Sequence, residues 1–169
     1  MIKAHLINKE IFSNEEEARA LLNKGSFGKE AGERIEYSVY EALYLLEKRK
    51  MKILEKEKEI TQKDLMKKIS KEKRFSEKYV VFKDLRDKGH VPKTGLKFGA
   101  DFRVYKSGTS PENAHAEWIC FVTKESEKIN WQDFASKNRV ARSTNKKLLI
   151  AVVDEEKEVT YYEVAWMKL

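Results

Sequence analysis

Tyr105, His115 and the pair Lys146-Lys147 are the side chains of this sequence best suited to act together on an RNA phosphodiester. Attack of a ribose 2′-hydroxyl on the adjacent phosphate needs a base, an acid for the departing 5′-oxygen, and a cation to hold charge at phosphorus. Histidine suits the acid, because an ordinary pKa of about 6.5 lets it carry and release a proton near neutrality. Lysine supplies a compact positive charge. Tyrosine, with an ordinary pKa of about 10, is a poor base unless cations stand beside it, and Arg103 and Lys106 flank Tyr105 in sequence. Each residue alone has a plainer reading. A tyrosine closing a strand usually packs, a lone histidine at a loop edge is usually inert, and lysines before an apolar run often guard it from aggregation. Only the combination points to RNA cleavage without a metal.

The surrounding pattern shows what must position these groups. Tyr105 closes a short strand, Phe102–Tyr105, entered from a basic turn punctuated by Gly95 and Gly99, in which Lys97 is a candidate phosphate contact. His115 follows a polar loop through Ser107–Pro111 and precedes an expected strand over Glu117–Thr123. Asn130 is placed to cap a helix containing Trp131, Phe134 and Val140. Lys146 and Lys147 lead into Leu148–Val153, a near-continuous apolar run expected of a strand covered on both faces. Val159–Trp166 alternates as a last strand. The order strand, strand, helix, strand, strand predicts a domain built around a mixed sheet.

The first half alternates short strands and helices. Ala4–Ile7, Glu10–Phe12 and Met51–Leu54 read as extended. Ser13 with Glu16, and Ser38 with Glu41, have the spacing of capping boxes. Thr61 is placed to cap a third helix bearing Leu65, Met66 and Ile69, and Gly25 stops the first. A mixed-charge run, Lys67–Lys78, marks the expected boundary. Within it Ser76 opens a helix with Tyr79, Phe82 and Leu85 on its apolar side, ended by Gly89 and Pro92. The expectation is therefore an α/β (α+β) protein with a small α/β domain over residues 1–74 and a mixed-sheet catalytic domain over 75–169.

Composition fits an anionic partner. The 169 residues carry a formal charge of +7, with 37% charged residues. Such a balance favours nucleic acid or an acidic membrane. Cys120, the sole cysteine, can form neither an internal disulfide nor a cysteine-based zinc site. With no signal peptide and no membrane-length apolar run, the expected location is the cytoplasm and a membrane role is not expected. Asp101 and Glu117 could be recruited to a metal-dependent nuclease, but no Glu-x-Lys follows Glu117 on its strand. A DNA-binding role lacks a recognition-helix motif.

The run from Tyr79 to Tyr105, ending Lys93-Thr94-Gly95-Leu96-Lys97-Phe98-Gly99-Ala100-Asp101-Phe102-Arg103-Val104-Tyr105, resembles the archaeal tRNA-intron (splicing) endonucleases. His115 and the stretch from Arg139 to Val153 continue the likeness, which covers residues 79–169 and extends more loosely to Tyr37–Leu46. The resemblance implies a catalytic domain of the restriction-endonuclease-like type. It implies a metal-independent endoribonuclease that needs no cofactor and cuts precursor tRNA at a bulge-helix-bulge, leaving 2′,3′-cyclic phosphate and 5′-hydroxyl ends. By that likeness Tyr105 is the general base, His115 the general acid and Lys146 the stabiliser of the transition state. Arg139 matches one half of a clamp on a flipped base. For the other half both Tyr161 and Trp166 are open, and Arg139 could equally be an ordinary exposed helix charge. Lys147 is a further substrate contact, although Asn145 stands where the family often has an arginine. The likeness also implies a homotetramer, or a heterotetramer with a non-catalytic subunit. The candidate interface is the acidic loop Glu125-Ser126-Glu127 and the last strand. A non-catalytic, RNA-binding subunit of the same complex is the alternative role.

Overall fold

The computed structural model describes residues 1–69 and 71–169. The chain divides into two compact units, Met1–Lys73 and Arg74–Leu169. Both combine helices with a mixed sheet, in line with the α+β expectation.

In the first unit β1 (Ile2–Ile7), β2 (Glu10–Ser13), β3 (Lys29–Ala31), β4 (Arg34–Tyr37), β5 (Met51–Glu55) and β6 (Lys58–Ile60) form one sheet in the order β3-β4-β2-β1-β5-β6. Only β1 and β5 pair in parallel. Along β1 the alternate residues Ile2, Ala4 and Leu6 are buried, as the two-residue period of a strand requires of a sheet with one covered face. The core is completed by α1 (Glu16–Gly25), α2 (Val39–Glu47) and α3 (Gln62–Ile69), whose Ala18, Leu43, Leu45 and Leu65 are fully enclosed. The Ser38 box forms as its spacing predicts: the Ser38 hydroxyl accepts from the Glu41 amide, and the Glu41 carboxylate takes the Ser38 amide at 2.9 Å. Thr61 likewise accepts from the Asp64 amide at 3.2 Å. Ser13 departs from expectation. It continues β2, and its buried hydroxyl donates to the Lys3 carbonyl at 2.7 Å, so α1 begins after Glu15 with no side-chain cap. The hydroxyl is anchored to the neighbouring strand as a donor, and its oxygen accepts from the Glu15 amide at 3.3 Å, one residue short of the helix. The β3–β4 hairpin and β6 were not anticipated.

In the second unit α4 (Phe75–Asp87), β7 (Val91–Thr94), a 3₁₀ turn (Leu96–Phe98), β8 (Phe102–Tyr105), β9 (Trp118–Lys124), α5 (Trp131–Ser143), β10 (Lys147–Val153) and β11 (Val159–Val164) follow in order. The helix expected to open at Ser76 opens at Phe75, with Arg74 in a left-handed conformation before it. The sheet runs β11-β10-β9-β8-β7, with β9 and β10 parallel and the other pairs antiparallel. α4 covers one face, bringing Phe82 to 6.0 Å from Phe102. α5 lies on the other, where the Lys137 ammonium stands 5.3 Å from the Phe121 ring. Asn130 caps α5 as expected, accepting from the Asp133 amide at 2.8 Å. Cys120 is buried, and burial, with Asp101 nearby, pushes its thiol pKa up. Such a thiol packs and does not react. Among the described residues no helix is long and apolar enough to cross a membrane.

Candidate active site

Strand register decides what meets at the end of the second sheet. Trp118 pairs with Val104 on one side and with Lys147 on the other, and Leu148 pairs with Val164. The end of β8, the starts of β9 and β10 and the end of β11 therefore share one edge. Residues far apart in sequence gather there around a cleft of about 470 Å³ lined by His115, Asn138, Arg142, Asn145, Lys146 and Trp166, among others. His115 is exposed at its rim. Asn145 takes a left-handed conformation (φ 55°) between α5 and β10, a turn that asparagine tolerates better than most residues. That turn presents Lys146, whose amide is fixed to the Ala141 carbonyl at 2.9 Å and whose ammonium donates to the Thr144 carbonyl at 3.2 Å. The ammonium also stands 5.7 Å from the ring of Phe98, so the 3₁₀ turn of the glycine-punctuated segment reaches the site.

Two of the three expected chemical groups, His115 and Lys146, thus share the cleft. Tyr105 is not among the residues that line it. It is 3% exposed and packs with Val91 and Ala116, and Ala116 is itself a cleft residue. The Arg103 guanidinium lies 5.9 Å from the Tyr105 ring.

Lys147 also lines the cleft and is occupied. Its ammonium pairs with Glu117 at 3.3 Å and with Glu163 at 3.2 Å. Glu117 also holds Lys106 at 3.2 Å, and Glu163 accepts from the Trp118 indole at 2.7 Å. The Lys106 hydrogen bond, followed by that of Lys147, holds the Glu117 carboxyl below the usual carboxylate range. The Trp118 indole and then Lys147 do the same for Glu163, while Glu163 and then Glu117 raise Lys147.

Of the expected clamp residues, Arg139 is exposed on α5 and Trp166 lines the cleft, 48% exposed. The Arg142 guanidinium, not anticipated from sequence, lies 3.5 Å from the centre of the Trp166 ring. Asn138 and Arg142 face the cleft together because residues four apart share a helix side. Tyr161 is turned away: its hydroxyl donates to Asp84 of α4 at 2.8 Å, and burial, with that carboxylate, raises its pKa. Lys97 is exposed on the 3₁₀ turn. In the acidic loop Glu125 is exposed, whereas Glu127 is bound internally by Arg74 at 2.8 Å and by the Thr123 hydroxyl at 2.9 Å.

The carboxylates weighed for a metal site do not meet. Asp101 pairs with Lys78 at 2.9 Å and accepts from the Val122 amide at 2.7 Å, well along β9 from Glu117. Among the described residues no group of three or more His, Cys, Asp or Glu side chains is arranged to hold a metal ion.

Two family models match the chain. Residues 2–66 match the tRNA intron endonuclease N-terminal domain, and residues 75–161 match the tRNA intron endonuclease catalytic C-terminal domain. A tRNA-splicing endonuclease of Pyrococcus furiosus is 39% identical over 171 residues, covering 99% of this chain and 98% of its own. One from Methanothermobacter thermautotrophicus is 38% identical over 151 residues, 89% of this chain and 88% of its own. One from Nanoarchaeum equitans is 41% identical over 140 residues, 79% of this chain and 90% of its own.

Proposed function

The chain belongs to the tRNA intron endonuclease family and is an endonuclease of tRNA splicing, and from that premise we propose that it excises introns from precursor tRNA at bulge-helix-bulge junctions without a metal ion. The observation that carries this reading is the shared cleft of His115 and Lys146, the acid and the cation that the chemistry asks for. Tyr105, as the base, takes the proton of the ribose 2′-hydroxyl. The 2′-oxygen attacks phosphorus, and Lys146 holds the charge that accumulates on the non-bridging oxygens. His115 hands a proton to the 5′-oxygen as its bond to phosphorus breaks. The products are a 2′,3′-cyclic phosphate and a 5′-hydroxyl. For Tyr105, 3% exposed and packed with the cleft residue Ala116, to reach the ribose, its hydroxyl has to become accessible from the cleft.

Arg139 and Trp166 hold the extruded base, with Trp166 supplying a flat aromatic face of the kind that stacks unpaired RNA bases. Lys97 contacts phosphate from the 3₁₀ turn. The working assembly is a homotetramer, or a heterotetramer with a non-catalytic subunit, joined through β11 and through Glu125 of the acidic loop. The test is cleavage of a precursor tRNA carrying the bulge motif, in EDTA. Cleavage is expected, with 5′-ends that a kinase labels without prior phosphatase treatment. His115→Ala should slow it by about 10²- to 10⁴-fold. Loss of cleavage in EDTA overturns the metal-free reaction, and an undiminished His115→Ala enzyme overturns the site.

A further inference from the structure

A carboxylate in a cleft that must accept RNA repels its own substrate, so the presence of Glu117 among the lining residues asks for a reason. Stability is a weak one. The Glu117 side chain is 28% exposed and its two lysine partners are about half exposed, and surface ion pairs of this kind contribute little to folding. Its place in the chain is more telling. The Glu117 amide donates to the Val104 carbonyl at 3.0 Å, and its own carbonyl accepts from the Lys147 amide at 3.0 Å. Its carboxylate then grips Lys106 at the end of β8 and Lys147 at the start of β10. Lys106 follows Tyr105, Lys147 follows Lys146, and Glu117 lies two residues after His115. One residue thus ties together, by backbone and by charge, the three segments that carry the chemical groups.

We propose that Glu117 is a positioning residue for the cleavage reaction: its carboxylate fixes the relative placement of Tyr105, His115 and Lys146 and holds Lys106 and Lys147 off the phosphate, leaving that contact to Lys146. The role rests on the function proposed above and extends it to a residue that touches neither the reacting phosphate nor the base. Its cost is weaker binding, since the same charge faces the incoming RNA. The two effects have opposite signs, and that opposition separates positioning from a merely structural contribution. Removing the charge frees the Lys106 ammonium from Glu117, leaves Lys147 held by Glu163 alone, and lets three strand ends drift.

The experiment compares wild type, Glu117→Gln, Glu117→Asp and His115→Ala on one precursor tRNA, with binding and single-turnover cleavage measured separately. Glu117→Gln should bind about fivefold more tightly, the effect of removing one repulsive surface charge. It should cleave at least roughly tenfold more slowly, the scale expected of misplaced reacting groups. Glu117→Asp keeps the charge on a shorter arm and should restore wild-type binding and part of the rate. If Glu117→Gln loses binding and rate together, the residue serves folding and the proposal is overturned. If it loses neither, the proposal is equally overturned. Should Glu117→Gln fail to fold, Lys147→Met breaks the same contact from the other side. It should slow cleavage, and an unchanged rate in Lys147→Met would overturn the role. Failure of the underlying reading shows differently: wild type would not cut the RNA, or His115→Ala would cut it as well as wild type.

Discussion

Gly95 is where local geometry and the proposed chemistry are most tightly joined. A methyl group on Gly95 would lie 2.9 Å from the Ala100 carbonyl oxygen, 2.9 Å from the Phe102 carbonyl carbon and 3.1 Å from the Ala100 carbonyl carbon. All three obstacles are backbone and cannot rotate away. The Gly95 carbonyl also accepts from the Phe98 and Ala100 amides, at 2.8 and 3.2 Å, so the 3₁₀ turn is built on this residue. To accept Gly95→Ala the turn must open by several tenths of an ångström, and overpacking against atoms that cannot yield costs about 2–3 kcal/mol. For a chain of this size that lowers Tm by roughly 5–10 °C. The displacement passes to Phe98 and through it to Lys146, so single-turnover cleavage should slow as well. Gly99 in the same turn provides the control. Its φ is +64°, but a Cβ there meets nothing within 4 Å. Gly99→Ala should therefore cost only the strain of a left-handed residue, about 1 kcal/mol, with cleavage unaltered. Thermal unfolding and cleavage of the two variants side by side decide the matter. A Gly95→Ala protein as stable and as active as Gly99→Ala would refute the reasoning.

Two further outcomes follow from the surroundings of the site. Tyr161→Phe removes the hydroxyl donated to Asp84 and should destabilise the protein by about 1–2 kcal/mol with binding and cleavage of the bulge substrate unchanged; a weakened affinity for that substrate would put Tyr161 back in the base clamp. The Glu117–Lys147–Glu163 contacts have a defined pH window. The folded pKa values of both carboxyls are depressed, so their contribution is complete above the ordinary carboxylate pKa and lost only as pH falls through the depressed values. Lys147 is raised, so its contribution is complete below the ordinary lysine pKa and lost as pH rises beyond it. Between about pH 5.5 and pH 9, then, the ratio of wild-type to Glu117→Gln cleavage rates should stay constant. Parallel pH–rate profiles in which that ratio drifts within the window would contradict the assigned contacts.

Local chemistry was readable from the sequence wherever a residue answers to near neighbours. Ser38 with Glu41, Thr61 with Asp64, and Asn130 at the start of α5 all sit three residues from the amides they bind, so spacing alone foretold them. The apolar run from Leu148 to Val153 likewise forecast a buried strand. Ser13 shows where this stops. Its spacing to Glu16 was right, but the residue belongs to β2, where its hydroxyl donates to the Lys3 carbonyl and accepts from the Glu15 amide. The same limit hid the Arg142–Trp166 stack, the tie between Tyr161 and Asp84, and the capture of Glu127 by Arg74, all of them contacts between residues distant in sequence. Tyr105 illustrates both sides. Its place at the end of a strand was legible, but its packing with Ala116 depends on β9 arriving alongside.

The parallel pairing of β9 with β10 has a consequence for the order of folding. The β7–β8 and β10–β11 hairpins join chain neighbours, and such contacts form early because little chain entropy is lost in closing them. The β9–β10 pairing must wait for the whole of α5 to be laid down between its partners, and it alone brings the segment of His115 beside that of Lys146. A chain with both hairpins made but β9 and β10 still apart therefore has all its local turns and lacks the cleft that His115 and Lys146 share.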